Sequence, residues 1–173
     1  MTKDMARLGV TLLLICGIAG LGLAVVYDAT KPIIDQRAQE DALEAAKDAI
    51  PGADEVVEQV KDGTTYYLGK RGGQIVGAAM KLQSLGYNKG TPIEMVVGID
   101  ITGKVTKVTI TYMAETPGIG SRVGDPSFLA KFVGADPREV DGIANATFSS
   151  RAVIDGVEKA VEFLGSIVAS PGR

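Results

Sequence analysis

Hydrophobic and polar positions divide this chain into three kinds of pattern. The first is an unbroken apolar run: the twenty residues from Leu8 to Tyr27 carry no charge. As a helix they reach about 30 Å at about 1.5 Å per residue, the thickness of a bilayer's hydrocarbon core. Tyr27 closes the run, where an amphipathic ring suits the headgroup level. A cleaved signal peptide would end its apolar stretch sooner, at a small-x-small site that Ala24-Val25-Val26-Tyr27-Asp28-Ala29 does not supply. The run predicts one transmembrane helix over 8–27 behind a short cytoplasmic tail, 1–7. Cys16, Gly20 and Ala24 recur within it every fourth residue, a small-residue stripe on which another helix can pack. Lys3 and Arg7 before the span balance Lys31 and Arg37 after it, so charge leaves orientation open and only the short tail favours an inside start.

The second pattern has helical period. Pro32 suits a first turn, and Ile33, Ile34, Ala38, Ala42, Leu43, Ala45, Ala46, Ala49 and Ile50 form an apolar stripe that Pro51-Gly52 ends. This predicts a connecting amphipathic helix within 28–50, with a hinge near Asp28 to Pro32 where span and helix break. Such a helix either lifts the following domain off the membrane or packs on its sheet. A second stripe at Val153, Val157, Ala160, Val161 and Leu164 predicts a final helix from Ser149 to about Val168.

The third pattern alternates. Thr64–Leu68 and Gln74–Lys81 flank Arg71-Gly72-Gly73, a hairpin signal. Ile93–Ile99 and Val105–Thr111 alternate faces around Thr102-Gly103, with valine and isoleucine on one side and Lys, Thr or Glu on the other. One face of the sheet is therefore expected to lie under helices. Together the elements predict an α+β protein: a single N-terminal transmembrane helix, then one domain over 51–173 with helices packed on a twisted antiparallel sheet.

Composition narrows the chemistry. A chain of 173 residues has room for one domain and one anchor. Histidine is absent and cysteine occurs once. These absences remove the Ser-His triad, His-ligated metals, Cys₄ sites and any intrachain disulfide, and no metal ligand set is predicted. Chemistry on such a chain points to a borrowed cofactor. A net charge of −3 without a basic run argues against nucleic acid.

Three segments carry candidate binding residues. In Asp141-Gly142-Ile143-Ala144-Asn145-Ala146-Thr147-Phe148-Ser149-Ser150-Arg151-Ala152, Thr147 precedes the final helix, with Ser149 or Ser150 as the expected N-cap. A helix N-terminus suits a phosphate. The same residues also read as ordinary capping, and Asn145-Ala146-Thr147 is formally a glycosylation sequon. The loop Ala114–Val123 contains Gly118-Ile119-Gly120, which lacks the helix and downstream acid of a dinucleotide fingerprint and reads as a close-fitting turn. Gly86–Pro92 joins two strands and offers Tyr87 for stacking on an aromatic ligand, or simply as a surface residue.

Taken in order, Gly86-Tyr87 to Pro92-Ile93-Glu94, then Gly103-Lys104-Val105-Thr106, then Glu115-Thr116-Pro117-Gly118-Ile119-Gly120, then Asp141 to Ala146-Thr147 and Arg151-Ala152-Val153 resemble the RnfG family of the Rnf electron-transport complex. They are similar as well to the related NqrC family of the sodium-translocating NADH:quinone oxidoreductase, and the short chain favours the Rnf type. The resemblance spans nearly the whole chain and implies an extracytoplasmic FMN-binding domain on a single-pass cell-membrane anchor. It implies FMN joined by a phosphoester to Thr147, attached by a flavin transferase that reads Asp141, Ala146 and Thr147. Glu115, Thr116, Pro117, Gly118 and Ile119 then lie against the flavin, with Ala146, Ser150 and Tyr87 completing the site. Ala144 and Asn145 depart from the family pattern, which has Ser or Thr and then Gly there. The implied function is a redox carrier that relays electrons between membrane subunits to drive Na⁺ or H⁺ transport. No nicotinamide site is visible, so the isolated chain is not expected to turn over NADH. Alternatives are a domain binding FMN non-covalently, the NqrC type of the quinone reductase, and a cofactor-free assembly subunit.

Overall fold

A computed structural model describes residues 2–169. Met1 and residues 170–173, the outer ends of the expected tail and domain, lie outside the described residues. The chain divides into two units, residues 1–40 and 41–173.

The described residues of the first unit all belong to α1, Thr2–Ala49, whose apolar part is long and hydrophobic enough to cross a membrane. This fits a membrane-anchored protein. The helix runs through Pro32 without a break, so the expected interruption between span and connecting helix is not present. A proline inside a helix removes one i→i−4 bond, here to the Asp28 carbonyl. Thr30 Oγ1 donates to the Val26 carbonyl at 2.8 Å just before that gap.

The second unit opens with the last turns of α1. It continues through β1 (Glu55–Lys61), β2 (Thr64–Arg71), β3 (Gln74–Ser84), β4 (Ile93–Asp100) and β5 (Val105–Tyr112). The strands form one antiparallel sheet in chain order. The hairpins follow from their turns: Asp62-Gly63 and Gly72-Gly73 all have positive φ, as two-residue hairpin loops require. A short helix, α2 (Pro126–Leu129), and 3₁₀ turns at Gly120–Gly124, Ala130–Phe132 and Pro137–Glu139 lead to α3, Thr147–Val168.

Helices cover both faces of the sheet rather than one. On the first face Ile93, Met95, Val97 and Ile99 meet Val153, Val157, Ala160 and Leu164 of α3. On the second, Tyr67, Ala79 and Val96 lie under Ala42, Ala45, Ala46, Ala49 and Ile50 at the end of α1. Alanine on the helix and glycine on the strands make this second contact close. A Cβ at Gly98 would stand 2.3 Å from the Ala49 carbonyl oxygen, and one at Gly69 would stand 2.4 Å from Ile50 Cγ2. The Thr106 hydroxyl donates to that same Ala49 carbonyl, and Lys107 pairs with Asp48. The end of α1 therefore packs on the sheet, the choice that periodicity left open.

Candidate functional site

The three segments singled out above converge beyond one end of the sheet. The loop after β3 brings Tyr87, the loop after β5 brings Thr116, Ile119 and Gly120, and the start of α3 brings Asn145, Ala146, Thr147, Phe148 and Ser149. Together they line a cleft of about 430 Å³, within the usual range for small-molecule sites. The lining is mostly apolar, with backbone and hydroxyl groups at the α3 end. Tyr87 and Phe148 form its exposed aromatic edge, ring centres 6.3 Å apart and planes inclined by 52°. Such a pair offers faces to a flat conjugated ring.

At the α3 end the sequence expectation needs correcting. Thr147 is not ahead of the helix but its first residue, and the N-cap is Ala146, which makes no side-chain capping bond. Ser149 and Ser150 lie inside the first turn and point elsewhere. Ser149 Oγ donates to Glu115 Oε2 at 2.6 Å, and Ser150 Oγ accepts the Ile143 N–H at 2.9 Å. The hydroxyls that would have made this an ordinary cap are thus engaged in tertiary contacts. The first N–H groups of a helix have no intrahelical partner, and here no side chain caps them. The exposed Thr147 hydroxyl sits beside them.

The turn before the helix is held by two bonds. Ala146 N–H donates to the Ile143 carbonyl at 3.0 Å, and Ser150 Oγ ties Ile143 to the helix. Asn145 occupies the left-handed region of this turn, with φ 67°. Asparagine is among the few side chains that tolerate this conformation, so it does glycine's work at a position where glycine is the expected residue.

The loop 115–120 turns sharply at Pro117-Gly118, where Ile119 N–H donates to the Thr116 carbonyl at 3.2 Å and Gly118 has φ 74°. Pro117 and Gly118 stand exposed on that turn, off the lining. Glu115 lies behind the cleft wall. Only 6% exposed, it accepts the N–H of Tyr87 at 3.3 Å, the N–H of Asn88 at 3.2 Å and the Ser149 hydroxyl. It thereby joins all three segments. Ser150 and Asp141 face the neighbouring surface cleft, which they share with Arg151 and with Thr147 itself. Thr147 stands on the ridge between the two clefts.

Of the expected site residues, the structure gathers Tyr87, Thr116, Ile119, Ala146 and Thr147 around one cleft. It sets Glu115 behind it, Pro117 and Gly118 at its turn, and Ser150 and Asp141 on its far side. Sequence reasoning missed Phe148 and Ser149 as lining residues. Phe148 is 67% exposed in the first turn of α3, off the stripe that faces the sheet, and that displacement is the signal that would have found it. Among the described residues no cluster of acidic or cysteine side chains is able to hold a metal ion. A planar aromatic group with a terminal phosphate fits this donor set, since the cleft pairs aromatic and small residues with an uncapped helix start.

Residues 86–162 match the FMN-binding domain family. The chain is 28% identical over 184 residues to the G component of the ion-translocating oxidoreductase complex of Methanosarcina acetivorans, covering 95% of this chain and 97% of that one. It is 30% identical over 179 residues to the protein of the same description from Vibrio cholerae, covering 86% and 84%. Among solved structures it resembles the C component of the Na(+)-translocating NADH-quinone reductase from Parabacteroides distasonis. There the TM-score is 0.58 at 16% identity, covering 79% of this chain and 96% of that one. That likeness concerns the fold.

Proposed function

The chain belongs to the RnfG family, the G components of ion-translocating oxidoreductase complexes, and on that premise we propose that it carries FMN esterified to Thr147 and relays electrons between subunits of such a complex. The observation that supports this most is the position of Thr147. It is the exposed first residue of an uncapped helix, on the rim of an aromatic cleft. A phosphate on its oxygen would lie at the positive end of α3, where backbone N–H groups favour an anion. Tyr87, Phe148, Ile119 and Ala146 would flank the isoalloxazine, and Thr116 and Ser149 supply hydroxyls at the wall. Bound there, FMN would supply the electron-transfer chemistry.

In this reading Asp141, Ala146 and Thr147 form the stretch that a flavin transferase reads, and Asp141 faces the cleft on the other side of the acceptor. Asn145 keeps the left-handed turn that presents Thr147, so the departure from glycine preserves the acceptor's geometry. Ala144 is exposed and contributes no hydroxyl. Residues 8–27 of α1 cross the membrane, and the second unit works on the extracytoplasmic side, where an ester bond prevents loss of a dissociated flavin. Electrons then pass to and from other membrane subunits, coupled to Na⁺ or H⁺ movement.

Acid precipitation of the purified chain tests the attachment. Flavin colour is expected to stay with the protein pellet in the wild type and to be absent from the pellet of Thr147→Ala. Colour that leaves with the supernatant in the wild type would replace this reading with a non-covalent flavin domain. A flavin-free chain in a working complex would replace it with an assembly role.

A further inference from the structure

We infer that Glu115 is a positioning residue that holds a fixed negative charge behind the cleft and so depresses the reduction potential of a flavin bound in front of it. This rests on the flavin reading of the cleft and goes beyond it by assigning the residue that sets the potential.

The carboxylate is almost wholly buried, and every contact runs toward it. Two backbone N–H groups and one hydroxyl donate to its oxygens. An ionised carboxylate is an acceptor only, so this pattern suits the charged form. None of the three donors is a cation, and among the described residues no lysine or arginine forms an ion pair with Glu115. The charge is solvated by dipoles but not neutralised. Its surroundings are shaped to admit it. A Cβ at Gly86 would stand 2.3 Å from Oε1, and one at Gly120 would stand 2.8 Å from Oε2. The link to the cleft is direct, because Ser149 and the Tyr87 N–H both donate to Oε2 and both residues line the cleft wall, as Gly120 also does.

Reduction of a bound flavin adds negative charge in front of that wall. A buried carboxylate nearby opposes it, since charges in a partly desolvated site interact more strongly than in water. Unit charges about 10 Å apart at an effective dielectric of about 20 repel enough to shift an equilibrium on the order of tenfold. Glu115→Gln removes the charge and keeps the side-chain shape.

The test is a potentiometric titration of the flavin in the full chain within its complex, with the attachment site mapped on the same samples. With flavin on Thr147 in both proteins, E115Q is expected to raise the midpoint potential. The reduced-to-oxidised ratio at fixed ambient potential should rise on the order of tenfold. Glu115→Asp, which keeps the charge, should stay close to the wild type. Equal potentials in E115Q and wild type, both flavinylated, overturn the inference and leave the flavin reading intact. A wild-type chain without flavin overturns both. If E115Q does not load flavin, the Glu115→Asp titration decides: a midpoint close to the wild type supports the inference, and one raised by on the order of tenfold in the reduced-to-oxidised ratio, although the charge is kept, overturns it.

Discussion

Gly120 and Gly118 lie two residues apart in one loop, yet their replacement by alanine should act through different physics. Gly120 is not in the left-handed region, so alanine there meets no backbone penalty. Its Cβ would instead stand 2.8 Å from Glu115 Oε2, 2.9 Å from Ser149 Oγ and 3.0 Å from Glu115 Cβ. Carboxylate ends usually give way, but this one is held by three donors in a buried site. Overpacking of this kind costs about 1–3 kcal/mol, and breaking a hydrogen bond to a charged acceptor about 1.5–3 kcal/mol. The two overlap, so Gly120→Ala should destabilise by about 2–4 kcal/mol. Gly118→Ala brings its Cβ near nothing within 4 Å and suffers only for φ 74°, by about 1–2 kcal/mol. Urea unfolding of the full chain in detergent measures the difference, and hydrogen exchange locates it. The amides of Tyr87 and Asn88 donate to Glu115, so they should exchange faster in Gly120→Ala and at the wild-type rate in Gly118→Ala. Equal destabilisation by both, or unchanged Tyr87 and Asn88 exchange in Gly120→Ala, would refute Glu115 as the bracket of the site.

Other expectations follow from single positions. Asn145→Gly should change thermal stability by only a few tenths of a kcal/mol, whereas Asn145→Val should cost more than about 1 kcal/mol at φ 67°, and similar melting temperatures for the two would contradict the turn assignment. Gly98→Ala would push against the Ala49 backbone and lift the end of α1, so amides near Ala49 should lose protection, and unaltered protection would count against the second core. Burial alone would raise the Asp100 carboxyl. Hydrogen bonds from the Thr102 hydroxyl and the Lys104 and Thr102 N–H groups, with the Lys104 charge, bring it below its ordinary value. Because the folded value is depressed, this stabilisation is fully present above the unfolded value of about 3.9 and is lost as pH falls through the folded one. Asp100→Ala should therefore cost about 1 kcal/mol at neutral pH and progressively less in acid, and a pH-independent difference would refute the assignment.

The fold was legible where pattern and turn agree. The strands β2 to β5 form two hairpins around glycine turns, and their existence and the pairing within each hairpin could be read from the sequence, whereas the pairing of β3 with β4 across the Gly86–Pro92 loop could not. β1 was missed because it is an edge strand: Glu55-Val56-Val57-Glu58-Gln59-Val60-Lys61 is mostly exposed and half-buries only Val56 and Val57, too few to make an alternating pattern. Its Asp62-Gly63 turn was the available signal. The unbroken course of α1 was obscured by Pro32, which reads as a helix start although a helix also tolerates it with one bond missing. The second core stayed undecided because alanines on α1 and glycines on the sheet are weak hydrophobic signals individually, and they matter only when packed together. At the site, the segments were readable but the directions of their side chains were not. Ser149 reads as a cap from its neighbours, and only folding brings it to Glu115, thirty-four positions away.

The bond between flavin and Thr147 is the central claim, and peptide mapping by mass of protein purified from its own host tests it most directly. An added FMN is predicted on the peptide holding Thr147, with fragment ions placing it on that residue. An unmodified Thr147, with flavin either released free on denaturation or found on another residue, would contradict it.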